Sequence, residues 1–444
     1  MRSRSLWPHG GLWRHRDFLK LWSAETVSQV GSQVSGLALP LVAIITLEAS
    51  AFQVALLGVV DFLPFILISL PAGVWVDRLP RRPILIVGDL GRAALLLSIP
   101  VAYELDALSM GQLYVVGFIV GTLTVFFDVA YQSYLPSLVD RDRLVEGNSK
   151  LEVSRSAAQL AGPAMAGGLV ELLTAPVAVL VDAVSFIASG LFVLGIRKRE
   201  ETPERAPGRS PFAGMRAELS EGLRYVLGHR YLRWIAASTA TFNFFGSVMF
   251  AILLVYAVRT LGLSPGAIGV VLAVANIGYL VGALLSGRLT KRIGVGPTII
   301  VGSAAGAGSL LIPLAPVSAP IPWLIAAELI ISFGLPVYNI TQVSFRQAIT
   351  PERMQGRMNS VMRFIVWGVM PIGSLLGGAI ASTIDLRAAI WIGAVGMSFA
   401  FLPVLLSPVR SLREMPEPVV EPLPSQAAAA GGELAPTHPV REEV

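Results

Sequence analysis

The sequence predicts an all-α polytopic membrane protein, with twelve transmembrane helices in two pseudo-symmetric six-helix bundles. Two observations carry this prediction. The 444-residue chain is 54% hydrophobic with a mean hydropathy of +0.68, which is more apolar surface than a soluble chain of this length can bury. Its apolar residues recur in blocks of roughly 20 residues, the length that crosses a hydrocarbon core about 30 Å thick.

The first bundle is predicted over residues 18–196, after an N-terminal segment of residues 1–17. Its first block is too long for a cleaved signal peptide, and Glu25, Gln29 and Gln33 make it too polar for one. The six predicted spans are 18–47, 52–76, 83–103, 110–137, 145–173 and 176–196.

A linker, a second bundle and a tail follow. The linker, residues 197–230, is polar and contains proline, and its second half has the apolar spacing of an interfacial helix. The second bundle covers residues 231–408, and residues 409–444 are rich in Pro, Ala and Glu, which is typical of a disordered tail. The six spans of the second bundle are 231–258, 265–287, 296–315, 321–345, 355–383 and 388–408.

The basic residues predict the orientation. If both termini are cytoplasmic, 29 of the 34 Lys and Arg residues fall in cytoplasmic segments, as the positive-inside rule requires. Only Arg259 and Arg387 fall outside, and Arg92, Arg155 and Arg363 fall within spans. Topology therefore accounts for the net charge of +5, so we expect no nucleic-acid partner.

The two halves are related by internal repetition. "GVWVDRLP" after span 2 matches "GRLTKRIG" after span 8, with Gly73 shifted onto Gly287. Arg155 in span 5 corresponds to Arg363 in span 11, and "FFDVAYQ" in span 4 sits where span 10 has "VYNITQ". A duplicated six-helix unit predicts a substrate site near the midplane between the halves, with alternating access.

This layout resembles the major facilitator superfamily. "GVWVDRLPRRP" resembles its loop motif Gly-x-x-x-Asp-Arg-x-Gly-Arg-Arg, with Pro80 in place of the glycine. "DFLKLWSAETVSQVGSQV", "DLGR", "FFDVAYQSYLPSLV", "NSKLEVSRSAAQLAGP" and "QGRMNSVMRF" resemble the branch of macrolide-efflux and enterobactin-exporter-type proteins, over residues 16–408. "GPAMAGG" fits the antiporter motif only in part, because Ala158 occupies one of its glycine places, so the branch resemblance carries the expectation of export.

The resemblance also implies a cytoplasmic gate after span 2. In the superfamily the motif aspartate faces the start of span 11, where this chain offers Arg353 or Arg357 to Asp77. Asp89 and Arg92 are three residues apart, the spacing of an ion pair on one helix face, which favours a supporting role over a substrate site. The gate residues are Gly73, Asp77, Arg78, Arg81, Arg82, Asp89, Arg92, Gly287 and Arg292.

Charges inside spans cost roughly 2.5–3.5 kcal/mol each at the bilayer centre, so they should face protein or water. Glu25, Asp61 and Asp128 are the candidates for carrying a coupling proton, and a structural role as paired gate residues is the alternative. Acids and arginines at comparable depth, Glu25 and Asp128 with Arg155 and Arg363, could pair. Acids also occur at positions 182 and 328, where they could line an outer vestibule or be structural.

Polar and aromatic span residues form a second candidate set. They could line a substrate cavity, and interhelical hydrogen bonding or packing is the alternative for each. The candidates are Gln29, Gln33, Arg155, Asn243, Asn339, Gln342, Arg363 and Trp367.

Other classes of function are disfavoured. There is no cysteine, and His9, His15, His229 and His438 lie outside the spans, so a metal site or a catalytic centre in the membrane is not expected. No lysine is followed by Ser or Thr, as a phosphate-binding loop requires, so an ATP-driven pump or an ATPase subunit is not expected.

We therefore expect a secondary transporter, not an enzyme, that exports amphipathic organic compounds such as a drug, macrolide or secondary metabolite in exchange for protons. It would need no cofactor besides the proton gradient and would act as a monomer in the bacterial inner membrane. The main alternative is a siderophore exporter, in which Arg155 and Arg363 attract an anionic catecholate. A more remote alternative is proton-coupled uptake.

Overall fold

The computed structural model describes residues 11–76, 78–140, 143–198 and 215–415. Asp77, residues 199–214 of the predicted linker and residues 416–444 of the predicted tail lie outside the described residues. The described chain is a succession of helices, and no β-strand occurs within those ranges.

The helices of the first half follow the predicted spans. Span 2 is divided between two helices, since Pro71 has no N–H to donate to the carbonyl of Leu67. A π-helical turn, Val42–Thr46, extends the first helix. The helices are α1 Arg16–Leu41, α2 Ala51–Leu67, α3 Ser69–Val76, α4 Arg81–Glu104, α5 Met110–Leu138, α6 Leu144–Leu173 and α7 Ala175–Leu194.

The second half begins with the predicted linker helix. The predicted spans 8 and 10 ended several residues too early, because the amphipathic stretches that follow them continue as helix beyond the apolar block. The helices are α8 Met215–Gly228, α9 Leu232–Arg259, α10 Pro265–Ile293, α11 Val295–Ala304, α12 Leu311–Leu314, α13 Pro320–Ile349, α14 Glu352–Thr383, α15 Leu386–Ser398 and α16 Leu402–Leu405.

Ten helical segments of the described chain are long and apolar enough to cross a membrane. Two further predicted spans are helical but differ in character. Helix α2 is shorter, and α6 is 30 residues long but carries charges such as Glu146, Lys150 and Arg155 in its first half. The helix count is therefore consistent with twelve spans, the two exceptions being a broken helix and a polar one.

Helices α1 to α7 pack mainly among themselves, as do α9 to α16, and two extensive helix pairs join the two groups. These are α2 with α14 and α6 with α10, and α2 also contacts α9. At the second pair, Gly167 and Gly269 face each other, and a Cβ on either would collide with the opposite backbone, at Pro265 or Pro163. Small residues at these points allow the bundles to touch by backbone, as close helix packing in membranes requires.

Polar contacts also join the bundles, at the end of the molecule away from the first and last described residues. Glu171 of α6 accepts from the backbone N–H of Gly266 at 2.7 Å and from the Ser264 hydroxyl at 2.9 Å. Its carboxylate thereby caps the positive N-terminus of α10. The backbone N–H of Phe52 donates to the Ser382 hydroxyl at 3.0 Å across the other pair.

The two arginines predicted on the outer side both bind backbone carbonyls there. Arg259 donates across the bundles to the carbonyl of Ile44 at 3.2 Å and that of Ala49 at 2.7 Å. Arg387 donates to Pro313 within the second bundle at 2.7 Å and 3.1 Å. These contacts seal the end remote from the first and last described residues. Toward the other end, span residues such as Asp128 are exposed, so the gap between the bundles opens there.

Candidate functional site

A cavity lies between the two bundles. It has a volume of about 540 Å³ and is lined by α1, α2, α4, α5 and α7 of the first bundle and by α9 and α14 of the second. Its walls are mainly aliphatic and aromatic, and its charged lining residues are Asp61 and Asp182. Neither Lys nor Arg is among the lining residues. A volume and lining of this kind suit a small organic molecule.

A second cavity, of about 270 Å³, lies within the second bundle and shares Met370 with the first. Three of the predicted cavity residues, Asn243, Asn339 and Trp367, line it. The Asn243 amide donates to the carbonyl of Val366 at 3.0 Å, so part of its hydrogen-bonding capacity is used within the bundle. The structure therefore places these three predicted residues around one cavity, which lies within the second bundle and not between the halves.

Asp61 is exposed to the larger cavity and packs against α5. A Cβ at Gly121 would lie 2.8 Å from the Asp61 carbonyl oxygen, and one at Gly117 would lie 3.8 Å from its carboxylate. No ion pair involves Asp61 among the residues that the structure describes. Its carboxylate therefore faces the cavity without a charged partner from the protein.

Glu25 is buried in α1, and Gln29 donates to its Oε1 at 2.8 Å. Its Oε2 is buried without a hydrogen-bond partner, as is the hydroxyl of Tyr131 on α5. Asp128, one helical turn before Tyr131, is close enough to act electrostatically on both groups and is itself exposed. We call Glu25, Asp128 and Tyr131 the acidic cluster.

Asp89 and Arg92 form a buried ion pair at 2.6 Å. Ser189 donates to the second Asp89 oxygen at 2.7 Å. The Arg92 guanidinium lies between two rings, 4.3 Å from the centroid of Phe127 and 4.1 Å from that of Phe186. Both charges are thus compensated within the first bundle, which fits a structural role.

Arg155 and Arg363 are exposed, and no ion pair with Glu25 or Asp128 occurs among the described residues. Arg363 instead lies over the ring of Trp367, with 5.1 Å between the guanidinium carbon and the centroid. The pairing of acids and arginines at one depth is therefore not seen in this conformation. Neither arginine lines the two described cavities.

The remaining polar candidates are within the bundles. Gln33 packs against Gly162 of α6, and Gln342 is buried with its Oε1 unpartnered. Asp182 is buried at the edge of the large cavity and accepts from the Ser185 hydroxyl at 3.0 Å. Glu328 is buried in the second bundle. These four side chains contribute to packing and hydrogen bonding more than to an open surface.

The residues of the gate motif are spread over the end of the molecule where the described chain begins and ends. Arg78, Gly287 and Arg292 are exposed, and Arg82 donates to the last carbonyls of α7, at 2.6 Å for Leu194. A cation at a helix C-terminus stabilises the helix dipole. A Cβ at Gly73 or Gly287 would meet nothing within 4 Å, so close packing does not explain these glycines in this conformation.

The other side of the predicted gate is occupied by the linker helix. Arg357, at the start of α14, pairs with Glu221 of α8 at 2.9 Å, and Gly222 lies against the backbone of Arg357. The predicted interfacial helix therefore docks on the second bundle, with Val226 fully buried. Asp77 and the side chain of Arg353 lie outside what the structure describes, so the predicted gate contact stays a prediction.

Several residues of the site were missed from the sequence. Tyr131 and the aromatic rings of the large cavity gave no signal beyond ordinary apolar periodicity. Glu171 lies near the end of predicted span 5, and only the fold brings it to the N-terminus of α10. Arg259 was noted as an exception to the charge bias that predicts the orientation, but this signal was not used to assign it a contact.

Comparison with known proteins agrees with this architecture. Residues 11–430 match the model of the family described as transmembrane secretion effector. The chain is 26% identical over 390 residues to multidrug efflux pump Tap of Mycolicibacterium fortuitum, covering 83% of this chain and 90% of that protein. It is 23% identical over 406 residues to macrolide efflux protein A of Streptococcus pyogenes, covering 90% and 97%.

Solved structures with the same fold include a bacterial homologue of the iron transporter ferroportin in its inward-facing state. That structure has a TM-score of 0.71 at 18% identity and covers 89% of this chain and 99% of its own. The outward-facing state of such a homologue has a TM-score of 0.53 at 17% identity and covers 88% and 98%. The chain belongs to the transmembrane secretion effector family of major facilitator superfamily transporters, in the branch that contains macrolide-efflux proteins.

Proposed function

We propose that this protein is a proton-coupled exporter of amphipathic organic compounds that works by alternating access. The observation that carries the proposal is the apolar cavity between the bundles, with carboxylates close to it and the far end sealed by Glu171 and Arg259. Export is favoured because similar proteins are named multidrug and macrolide efflux pumps. With both termini cytoplasmic, the open end of this conformation would take substrate from the cytoplasm.

The acidic cluster is the best place for the coupling proton. Two carboxylates that act on each other electrostatically and are partly removed from water cannot both stay ionised at low cost, so the cluster favours one bound proton. Asp128 is exposed toward the open end, and Glu25 is buried beside it with one oxygen unpartnered. A proton arriving through Asp128 could therefore reach Glu25, and no cofactor is needed.

The lining of the cavity bears on the alternative substrate. A siderophore exporter for anionic catecholates would be expected to place a basic residue against its ligand. Arg155 and Arg363 were the residues proposed for this, and neither is among the lining residues of the described cavities. Asp61 and Asp182 would repel an anion. This supports a neutral or cationic substrate over an anionic one.

Transport in inverted vesicles with an imposed pH gradient tests the proposal. We expect a cationic dye, and not an anionic catecholate, to dissipate the gradient. Glu25→Gln and Asp128→Asn should each reduce this exchange by about tenfold or more, since each removes a group that binds the proton. Asp106→Asn is the matched control, because Asp106 is exposed in a loop with φ of 51°, which asparagine also adopts readily. Exchange that survives both cluster variants contradicts the assignment.

A further inference from the structure

Asp61 is a charged group in an apolar chamber, and its surroundings set its chemistry. It is exposed to the cavity of about 540 Å³, and none of the lining residues carries a positive charge. An ionised carboxylate at membrane depth is costly unless a cation lies against it. Since the protein does not supply this cation at the described residues, a ligand can.

Aromatic rings line the same cavity as this carboxylate. Phe62, the next residue, stacks on Phe65 with 6.2 Å between centroids and meets Trp367 of the second bundle edge-on at 6.1 Å. Phe250 lines the cavity from α9. Ring faces attract cations within about 6 Å and bury flat apolar groups well. Met370 adds a flexible apolar wall that adapts to different shapes.

The other carboxylate of the cavity is already engaged. Asp182 is only 2% exposed, accepts from Ser185 at 3.0 Å, and its carboxylate packs closely against Gly31. The acidic cluster does not line this cavity, since neither Glu25 nor Asp128 is among its lining residues. Asp61 is thus the carboxylate best placed to meet a bound molecule.

We propose that Asp61 binds the positive charge of monocationic amphipathic substrates, while Phe62, Phe65 and Phe250 hold their apolar part. The proposal rests on the proposed function in taking this cavity as the substrate site. It separates substrate recognition from proton coupling, whereas the sequence made Asp61 a proton-coupling candidate together with Glu25 and Asp128. Asp61 recognises the substrate's charge, and Glu25 with Asp128 carries the proton. It also names a substrate class, lipophilic amines and other organic monocations, for which this chain would be selective over anions of the same shape.

Equilibrium binding to purified protein tests this without requiring transport. Tetraphenylphosphonium and tetraphenylborate have nearly the same shape and opposite charges, so their difference reports the charge of the site alone. We expect the wild-type protein to bind the phosphonium and not the borate. Asp61→Asn should weaken phosphonium binding roughly ten- to hundredfold, the usual loss of a charge-assisted contact. Asp61→Glu should restore part of it, and Asp106→Asn should leave it unchanged.

Two binding results overturn the inference. One is phosphonium binding that Asp61→Asn leaves intact, and the other is borate binding as tight as that of the phosphonium.

Proton exchange driven by a neutral substrate, measured on the same variants, distinguishes this inference from the proposed function. If Asp61→Asn retains that exchange but loses phosphonium binding, both proposals hold. If phosphonium binds through Asp61 but no substrate moves protons, the inference stands and the proposed function falls. An Asp61→Asn protein that loses exchange of the neutral substrate as well would return Asp61 to proton coupling and overturn the division of tasks.

Discussion

At the scale of single residues, the membrane charges of this protein differ in how they are compensated. Asp89 and Arg92 neutralise each other within the first bundle, with Ser189 and two aromatic rings completing their contacts. Asp61 and Asp128 face open space instead. Because burying an unpaired charge is costly, a charge left exposed in the centre of a membrane protein indicates a site that binds something.

Breaking the buried pair should cost stability. Asp89→Asn leaves the Arg92 guanidinium buried without a counter-charge, and this should lower the free energy of unfolding by about 3–5 kcal/mol. The fraction of monodisperse protein after heating in detergent, compared with wild type, measures the loss. Asp106→Asn removes an exposed carboxylate and should behave as wild type. A fully stable Asp89→Asn protein would mean that the rings and Thr124 compensate Arg92 by themselves.

The sequence predicted the residue pair that lies within one helix, because helical spacing alone brings it together. It did not predict correctly the pairs between helices, which depend on tertiary structure. Asp89 and Arg92 are three residues apart, so one helix brings them together whatever surrounds it. The predicted pairing of Glu25 or Asp128 with Arg155 or Arg363 required side chains on different helices to face each other. The rotation of each helix about its own axis decides this, and hydropathy does not specify that rotation. The buried hydroxyl of Tyr131 was missed because a tyrosine in an apolar span is normally interpreted as a packing residue.

At the scale of elements, the predicted spans agree with the helices to within a few residues where an apolar block ends in a turn. They differ where a charged amphipathic stretch continues a helix, as at the end of α10. The break between α2 and α3 follows from Pro71. The docking of α8 on α14 through Glu221 and Arg357 depends on tertiary contacts, so the sequence indicated only an amphipathic helix.

The start of α9 should make stability depend on pH through His229. Its Nδ1 accepts from the backbone N–H groups of Tyr231 at 3.3 Å and Leu232 at 3.5 Å. Burial, together with the neighbouring Arg230, lowers the pKa of this imidazole below its usual value of 6.5. The unfolded chain therefore takes up the proton first, and the contribution to stability, complete above the usual pKa, is lost as the pH falls below it.

Heating curves at about pH 7.5 and about pH 5.5 test this. We expect the wild-type protein to lose stability at the lower pH and His229→Asn, which keeps an acceptor but does not titrate, to lose less. Arg230→Gln removes one cause of the low pKa and should also reduce the difference. Equal pH dependence in wild type and His229→Asn would show that other groups govern it.

At the scale of the whole molecule, alternating access requires that the sealed end separate while the open end closes. The seal combines backbone contact at Gly167 and Gly269 with the capping of α10 by Glu171 and the two carbonyl contacts of Arg259. The internal repeat in the sequence predicted an interface between two bundles that rock against each other. Only the structure shows at which end of that interface the sealing contacts lie.

A reversible cross-link across the seal tests whether this end must open. The chain has no cysteine, so Phe52→Cys with Ser382→Cys introduces one defined pair. The backbone nitrogen of Phe52 and the hydroxyl of Ser382 are 3.0 Å apart, so the two residues are direct neighbours across the bundles, as a disulfide requires. We expect oxidation to stop transport in the double variant and a reductant to restore it, because a disulfide holds α2 against α14. Each single variant should be insensitive to oxidation, which excludes damage elsewhere. Full transport by the cross-linked protein would mean that the bundles part at another place, leaving α2 and α14 joined throughout the cycle.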